Sequence, residues 1–191
     1  MTAPARSLTI GGLPGTGTTT ACTALQTLTG LPYVYAGEIF RKMAKERGLT
    51  LAEFGSLAER DASIDRDLDD RQAKLLAAAP VLLEGRLSGY LAYRDRVPAF
   101  KVWFTCDPYE RARRVVEREG GDLETRMEEM RRREQSERKR YLEYYAFDVS
   151  DLSVYDLVID TTKLPRESIT ARVREAYEKA SRARRWWWPF A

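Results

Sequence analysis

The segment GGLPGTGTTTA, from Gly11 to Ala21, constrains the fold of this chain more than any other stretch. The residues before it, LTI, predict a β-strand, and the residues after it, ACTALQTL, predict an amphipathic helix. Its spaced glycines permit a turn in which successive N–H groups point inward and form a nest for an anion. A purely structural turn is the alternative, but three spaced glycines followed by three threonines favour a phosphate-binding loop.

The loop departs from the general phosphate-loop pattern at one position. The pattern G-x-x-x-x-G-K-[ST] fits Gly12 to Thr19, except that Thr18 stands where lysine is expected. This change removes one point charge near the phosphates. It leaves the backbone nest, the positive end of the following helix and the Thr19 hydroxyl, a candidate Mg²⁺ ligand. Other cations must therefore supply the missing charge.

Five short runs rich in β-forming residues predict strands at Ser7–Gly11, Tyr33–Tyr35, Pro80–Glu84, Phe100–Cys106 and Asp156–Asp160. Segments with helical spacing separate these runs. Such alternation predicts an α/β fold, in which a parallel sheet carries helices on both faces. A length of 191 residues suits one domain with a full core.

Two of the segments between strands, at about 37–76 and about 109–145, are longer than one crossover helix requires. They predict helical insertions above the carboxyl edge of the sheet, where open α/β sheets bind ligands. The predicted single domain, 1–191, then has a core of 7–36, 77–108 and 146–182 and an aromatic tail at 183–191. The tail, with three adjacent tryptophans, predicts a cover over a surface groove, an oligomer contact or a weak membrane-interface anchor.

Composition narrows the possible functions. The chain has no histidine, which excludes His metal ligands, Ser–His triads and imidazole acid–base catalysis. Its net charge of +3, from 32 basic and 29 acidic residues, does not indicate a nucleic-acid binder. Cys22 and Cys106 lie in apolar stretches and are expected to be reduced, buried thiols of a cytoplasmic protein. The N-terminal MTAPARS is too short and polar for a signal peptide, and no apolar run approaches membrane-spanning length.

Arginines are the candidate cations, because guanidinium forks bind phosphate oxygens bidentately and keep their charge. Arg41 lies in a predicted helix that the chain enters through Gly37. Arg86 ends a buried strand in VLLEGRLSG, at the edge of the sheet expected to face a ligand. Its place beside Glu84 and two glycines favours a functional role for Arg86.

A second group of arginines lies in the segment 111–140. Arg111, Arg114 and Arg118 recur along one helical face, and Arg133 and Arg140 share a face of the next helix. The same segment is rich in acidic residues, so ordinary solvated and salt-bridged helices remain the alternative for each of these arginines.

Three carboxylates complete the candidate site. Glu84 closes PVLLE, where it can reach Mg²⁺ directly or through water, so Thr19 and Glu84 are the predicted metal ligands. A helix cap or salt bridge is the alternative for Glu84. Asp65 and Asp69 lie one helical turn apart in SIDRDLDDRQ, and a carboxylate can accept from the amino group of cytosine. An acidic surface stripe is the alternative for this pair.

Several long motifs, in the same order, resemble those of the archaeal-type cytidylate kinases within the nucleoside monophosphate kinase superfamily. The motifs are GLPGTGTTT, AGEIFRKMAKERG, LEGRLSG, RYLEYYAFDVSDLSVYDLVIDT and the spaced Ala58, Glu59, Ile64, Asp65, Asp69 and Gln72. The likeness covers about 8–178, and Thr18 resembles a variation native to this branch. It implies a P-loop NTPase fold, with three α/β/α layers around a five-stranded parallel sheet.

The resemblance also implies an activity, the transfer of the γ-phosphoryl group of ATP to CMP and dCMP with Mg²⁺. The residues assigned to the ATP phosphates are Gly12, Leu13, Pro14, Gly15, Thr16, Gly17, Thr18, Thr19 and Thr20. Those assigned to the acceptor are Gly37, Arg41, Asp65, Asp69 and Arg86. Those assigned to a lid over the reacting phosphates are Arg114, Arg118, Arg133 and Arg140.

Other functions remain open at this point. A kinase for AMP, UMP or a small metabolite would have the same fold and loop. A non-catalytic nucleotide-binding protein would explain the missing lysine, but it would have no use for the other arginines. The expected partners are therefore small nucleotides, without nucleic acid or membrane, and the chain is expected to be a monomer or weak dimer.

Overall fold

The computed structural model describes residues 6–183, so the tryptophans of the predicted tail lie outside the described residues. In chain order the elements are β1 (Ser7–Gly12), α1 (Thr18–Thr29), β2 (Tyr33–Tyr35), α2 (Ala36–Glu46), α3 (Leu51–Ala58), α4 (Ala62–Ala78), β3 (Leu82–Glu84), α5 (Ser88–Arg94), β4 (Ala99–Thr105), α6 (Pro108–Glu119), α7 (Leu123–Tyr145), β5 (Leu157–Asp160) and α8 (Arg166–Ala183). Each of the five predicted strands is present.

The five strands form one parallel sheet in the order β2-β3-β1-β4-β5, with β1 at the centre. The register places Ile10, Glu84 and Tyr35 side by side at the carboxyl ends of β1, β3 and β2. Loops that follow these strands therefore meet at one edge of the sheet, which is where the candidate site lies.

Helices cover both faces of the sheet because consecutive strand residues point to opposite sides. Leu82 belongs to the core that α1 and α8 cover, whereas the next residue, Leu83, belongs to the core that α4, α5 and α7 cover. Strands that are buried on both faces read as continuous apolar runs, as VWF does in β4. The predicted three-layer α/β/α fold is confirmed.

The strand ends differ slightly from the sequence prediction. β3 begins at Leu82 rather than at Pro80, because proline has no N–H to donate to a neighbouring strand. β4 ends at Thr105, so Cys106 lies beyond it and is only half buried, and the expectation of a buried thiol there is wrong. Cys22 is buried, and burial together with the nearby charge of Glu84 raises the pKa of its thiol.

Two helical segments stand at the carboxyl edge of the sheet. α2, α3 and α4 follow β2 and share a small core of their own around Met43, Phe54 and Ile64. α6 and α7 follow β4 and pack through Ala112, Val115 and Met130. Among residues 6–183 no helix combines the length and the apolar character needed to span a membrane.

Candidate active site

The turn between β1 and α1 has the backbone geometry of an anion nest. Gly15 and Gly17 adopt positive φ angles of 83° and 90°, which favour glycine. A Cβ on Gly15 would lie 2.5 Å from the carbonyl oxygen of Arg111, so a side chain is excluded there by space as well as by strain. No side chain caps the N-terminus of α1, and its first N–H groups remain available to an anion.

Side chains from distant parts of the chain hold this loop from outside. The Arg111 guanidinium donates to the carbonyl of Pro14 at 3.3 Å, and Arg114 donates to that of Gly15 at 3.4 Å. The buried hydroxyl of Thr161, just past β5, donates to the carbonyl of Thr16 at 2.9 Å. With its carbonyls held outward in this way, the loop presents N–H groups to the cavity.

Glu84 is the centre of a cluster of hydroxyl groups beneath the loop. Its carboxylate is 3% exposed. It accepts hydrogen bonds from Thr18 at 2.6 Å, from Thr19 at 2.8 Å and from the phenol of Tyr33. Burial, and then the hydrogen bond to Glu84, raises the pKa of Tyr33, so the phenol stays a donor. In the residues that the structure describes, no arginine or lysine pairs with Glu84.

The Thr19 hydroxyl and the Glu84 carboxylate have the chemistry of a magnesium site. Mg²⁺ prefers oxygen ligands, and it is commonly held by one or two protein oxygens together with water and substrate phosphates. A buried carboxylate that lacks a cationic partner within residues 6–183 fits that role. Residues 6–183 contain no group of three or more carboxylates or thiols that could hold a metal without ligands from water or substrate.

Arg86 lies directly beside the loop. Its Nη1 atom donates to the carbonyl of Gly12 at 2.5 Å, and its Nε atom donates to Glu137 of α7 at 2.7 Å. Arg133 donates to the other carboxylate oxygen of Glu137 at 2.8 Å. Burial alone would raise the pKa of Glu137, but the charges of Arg86 and Arg133 outweigh it and hold that pKa at about 2.

Asp65 and Asp69 face α7 from the other end of the site, and both are buried. Asp65 accepts from Arg140 at 2.7 Å, and Asp69 accepts from the phenol of Tyr145 at 2.5 Å and from Gln72 at 3.0 Å. Burial raises the pKa of both carboxyl groups, and that of Asp69 reaches about 7. The alternative of an exposed acidic stripe is therefore wrong.

The remaining predicted residues lie around the rim. Arg41 stacks over the ring of Tyr35 at 5.2 Å, and Gly37 lets that ring approach, since a Cβ would lie 2.5 Å from it. Arg114 reaches the loop, whereas Arg118 is exposed and bonds to its neighbour Glu119. Arg111, which the helical spacing placed with these two, is buried against Glu134.

One cavity of about 1750 Å³ unites these groups. Every residue that the sequence assigned to phosphates, acceptor, metal or lid lines it, with the loop at one end and the α4 carboxylates at the other. A second cavity of about 760 Å³, between β5 and α8, contains none of them. Four further residues, which the sequence did not indicate, contribute to the site: Tyr33, Glu137, Tyr145 and Thr161. Only the spacing of Glu137, four residues after Arg133, could have indicated a contact.

A phosphate loop that follows the central strand of a parallel sheet and faces arginines across a cavity is typical of P-loop kinases. Solved structures share this fold. A gluconokinase from Sinorhizobium meliloti superposes with a TM-score of 0.64 at 12% identity, covering 98% of this chain and 99% of its own. A shikimate kinase from Bacteroides thetaiotaomicron gives 0.61 at 15% identity, covering 91% and 98%.

Sequence similarity identifies the family within this class. The model of the cytidylate kinase-like family matches residues 7–163, so the chain belongs to that family. The cytidylate kinase of Methanococcus vannielii is 46% identical over 157 residues, which is 82% of this chain and 90% of that protein. Those of Methanococcoides burtonii and Pyrococcus abyssi are 45% and 44% identical, covering 90% of this chain and 96% of theirs.

Proposed function

We propose that this chain is a cytidylate kinase that transfers the γ-phosphoryl group of ATP to CMP and dCMP, giving ADP and the diphosphate. The observation that carries the proposal is the shared cavity, in which the anion nest faces the buried carboxylates of α4 across Arg86. A kinase needs such an arrangement, because both substrates must be held in line and shielded from water.

The loop is the proposed donor site. Residues 12–20 would bind the ATP phosphates through inward N–H groups and the positive end of α1. Thr19 and Glu84 would hold Mg²⁺, which neutralises charge on the phosphates when it is bound. Tyr33 and Thr18 fix the orientation of Glu84 through their hydrogen bonds.

The α4 end is the proposed acceptor site, within an insertion at about 37–76. A carboxylate oxygen of Asp65 or Asp69 would accept from the amino group of cytosine, since each carboxylate has more acceptor positions than its present bonds use. Uracil has a carbonyl at that place and would face the carboxylate with like partial charge. Arg41 and Arg86 would bind the phosphate of the acceptor.

Arginines would replace the charge that the loop lacks at Thr18. Arg86 and Arg114 line the same cavity as the loop, so their guanidinium groups would reach phosphates bound there. Arg133 and Arg140 face the cavity from α7. We propose that about 109–145 acts as a lid, in which these arginines and Arg118 offset charge on the transferred group and exclude water.

The activity is tested by ADP formation from ATP and Mg²⁺ in parallel reactions with CMP, dCMP, UMP, AMP and no acceptor. Turnover confined to the two cytidine nucleotides is expected. Turnover confined to UMP or AMP would refute the cytosine assignment, and ADP formation that no acceptor stimulates would refute the kinase. Sedimentation velocity of the full chain tests the proposed monomer or weak dimer.

The role of Arg86 is tested by Arg86→Lys, which keeps the charge but loses the bidentate fork. We expect at least about a hundredfold loss of acceptor phosphorylation, as expected for a misplaced reacting group, with ATP binding by calorimetry nearly unchanged. Arg174→Lys on α8 is the control, because Arg174 lies outside the cavity. Equal activity of the two variants would refute the assignment.

A further inference from the structure

Glu137 occupies a position between two arginines that suits an incoming anion. The side chains of Arg86 and Glu137 are 20% and 10% exposed, and Nε of Arg86 lies 2.7 Å from one carboxylate oxygen. Nε of Arg133, on the preceding turn of α7, lies 2.8 Å from the other oxygen. A single carboxylate thus bridges a residue of the sheet edge and a residue of α7, inside the cavity of the proposed reaction.

Guanidinium groups bind carboxylates and phosphates through the same planar pairs of N–H donors. Glu137 occupies the Nε donor of Arg86, so a phosphate that binds Arg86 through a pair of donors including Nε competes with Glu137 for it. The two anions cannot share the position, because like charges at hydrogen-bond distance in a buried site repel each other strongly.

We propose that Glu137 is an internal competitor of the substrate phosphate, a carboxylate that binds Arg86 and Arg133 until the acceptor phosphate displaces it. The proposal rests on the proposed function only for the identity of the anion. Displacement frees α7 from the sheet edge at that point, so the arrival of the acceptor changes how the helix is held. Glu137 is thus a specificity-determining residue, since only a ligand that carries an anionic group can take its place.

A second contact of α7 indicates the same exchange of partners. Arg140 pairs with Asp65, a residue proposed to bind the acceptor base, and it lies on the same face of the helix as Glu137. Both ion pairs therefore use a group that a bound nucleotide would need. The neighbouring pair of Arg111 with Glu134 differs, because neither residue lines the cavity.

The test compares Glu137→Gln with Glu178→Gln. Glu178 is the matched control, because it also bridges two arginines of its own helix, Arg174 and Arg182 of α8, and none of these three residues lines the cavity. Titration calorimetry without ATP measures binding of CMP and of cytidine, which lacks the phosphate. UMP with uridine and AMP with adenosine extend the panel to the other possible acceptors.

We expect Glu137→Gln to bind CMP at least about tenfold more tightly than the wild type, which corresponds to about 1.4 kcal/mol. The affinity for cytidine should not change, and Glu178→Gln should match the wild type for both ligands. Unchanged or weaker binding of all three monophosphates, CMP, UMP and AMP, by a folded Glu137→Gln variant would overturn the proposal. An equal gain for cytidine would also overturn it, because the effect would then not concern the phosphate.

Glu137→Asp covers the case in which the glutamine variant does not fold. Aspartate keeps the charge but is one methylene shorter, so it cannot bridge both arginines as glutamate does. The ratio of CMP to cytidine affinity should rise for this variant too, and no rise would refute the competition. If the variants gain affinity for UMP or AMP rather than for CMP, the internal competitor stands while the cytidylate assignment fails.

Discussion

Replacing Asp69 by asparagine should remove a large pH dependence from the stability of the fold. Burial raises the pKa of Asp69 from 3.8 to about 7, the negative charges of Asp65 and Asp70 add to this, and Tyr145 and Arg94 oppose it. Between these two values the folded chain binds a proton that the unfolded chain does not. The free energy of unfolding therefore falls as the pH rises, by about 4 kcal/mol in all and about 3 kcal/mol between pH 5 and pH 8.

The assay is urea unfolding followed by far-ultraviolet circular dichroism at pH values from 5 to 8. Asparagine has no charge to bury, so Asp69→Asn should gain about 3 kcal/mol relative to the wild type across this range. Glu175→Gln, at an exposed residue of α8, is the control, and its difference from the wild type should stay constant within about 0.5 kcal/mol. Parallel curves for Asp69→Asn and the wild type would refute the reasoning, because they would mean that Asp69 is ionised in the folded chain throughout.

Two further predictions concern Glu84. Tyr33→Phe removes a hydroxyl donor from this carboxylate, so it should raise the Mg²⁺ concentration for half-maximal activity by about tenfold. The control, Tyr93→Phe at an exposed tyrosine, should leave that concentration unchanged. Equal Mg²⁺ concentrations for the two variants would exclude an orienting role for the phenol of Tyr33. Thr18→Lys restores the usual loop residue. The present Thr18 hydroxyl lies 2.6 Å from a carboxylate oxygen of Glu84, so the new ammonium would stand beside Glu84 and pair with it. ATP affinity measured by calorimetry should therefore change by no more than about threefold, or about 0.7 kcal/mol. A large gain in turnover would contradict the expectation that the natural loop works without its lysine.

The sequence predicted the sheet well because each strand carries its own local signal. The run LTI before the glycines and the run VWF in β4 both lie in strands, since positions buried on two faces favour consecutive β-forming residues. The phosphate loop was equally predictable from the sequence, because Gly15 and Gly17 adopt backbone angles that few other residues adopt.

Contacts between distant side chains were not predictable in the same way. Tyr33 precedes Glu84 by 51 residues, and Tyr145 follows Asp69 by 76, so no spacing relates the members of either pair. Helical periodicity grouped Arg111 with Arg114 and Arg118, but periodicity does not say which neighbour each side chain meets. Packing of α6 against α7 placed Arg111 on Glu134, and only Arg114 of the other two reaches the loop.

The hydrogen bond from Thr161 to the loop has a consequence for the synthesis of the protein. A ribosome completes the glycine-rich turn long before it adds the hydroxyl that holds the carbonyl of Thr16, which lies 145 residues further along the chain. Both edges of β1 are likewise paired only after β3 and β4 have been synthesised. Folding of the loop is therefore complete only after Thr161 has been synthesised, and a shorter nascent chain that carries the complete phosphate-loop sequence lacks the contacts that shape the loop.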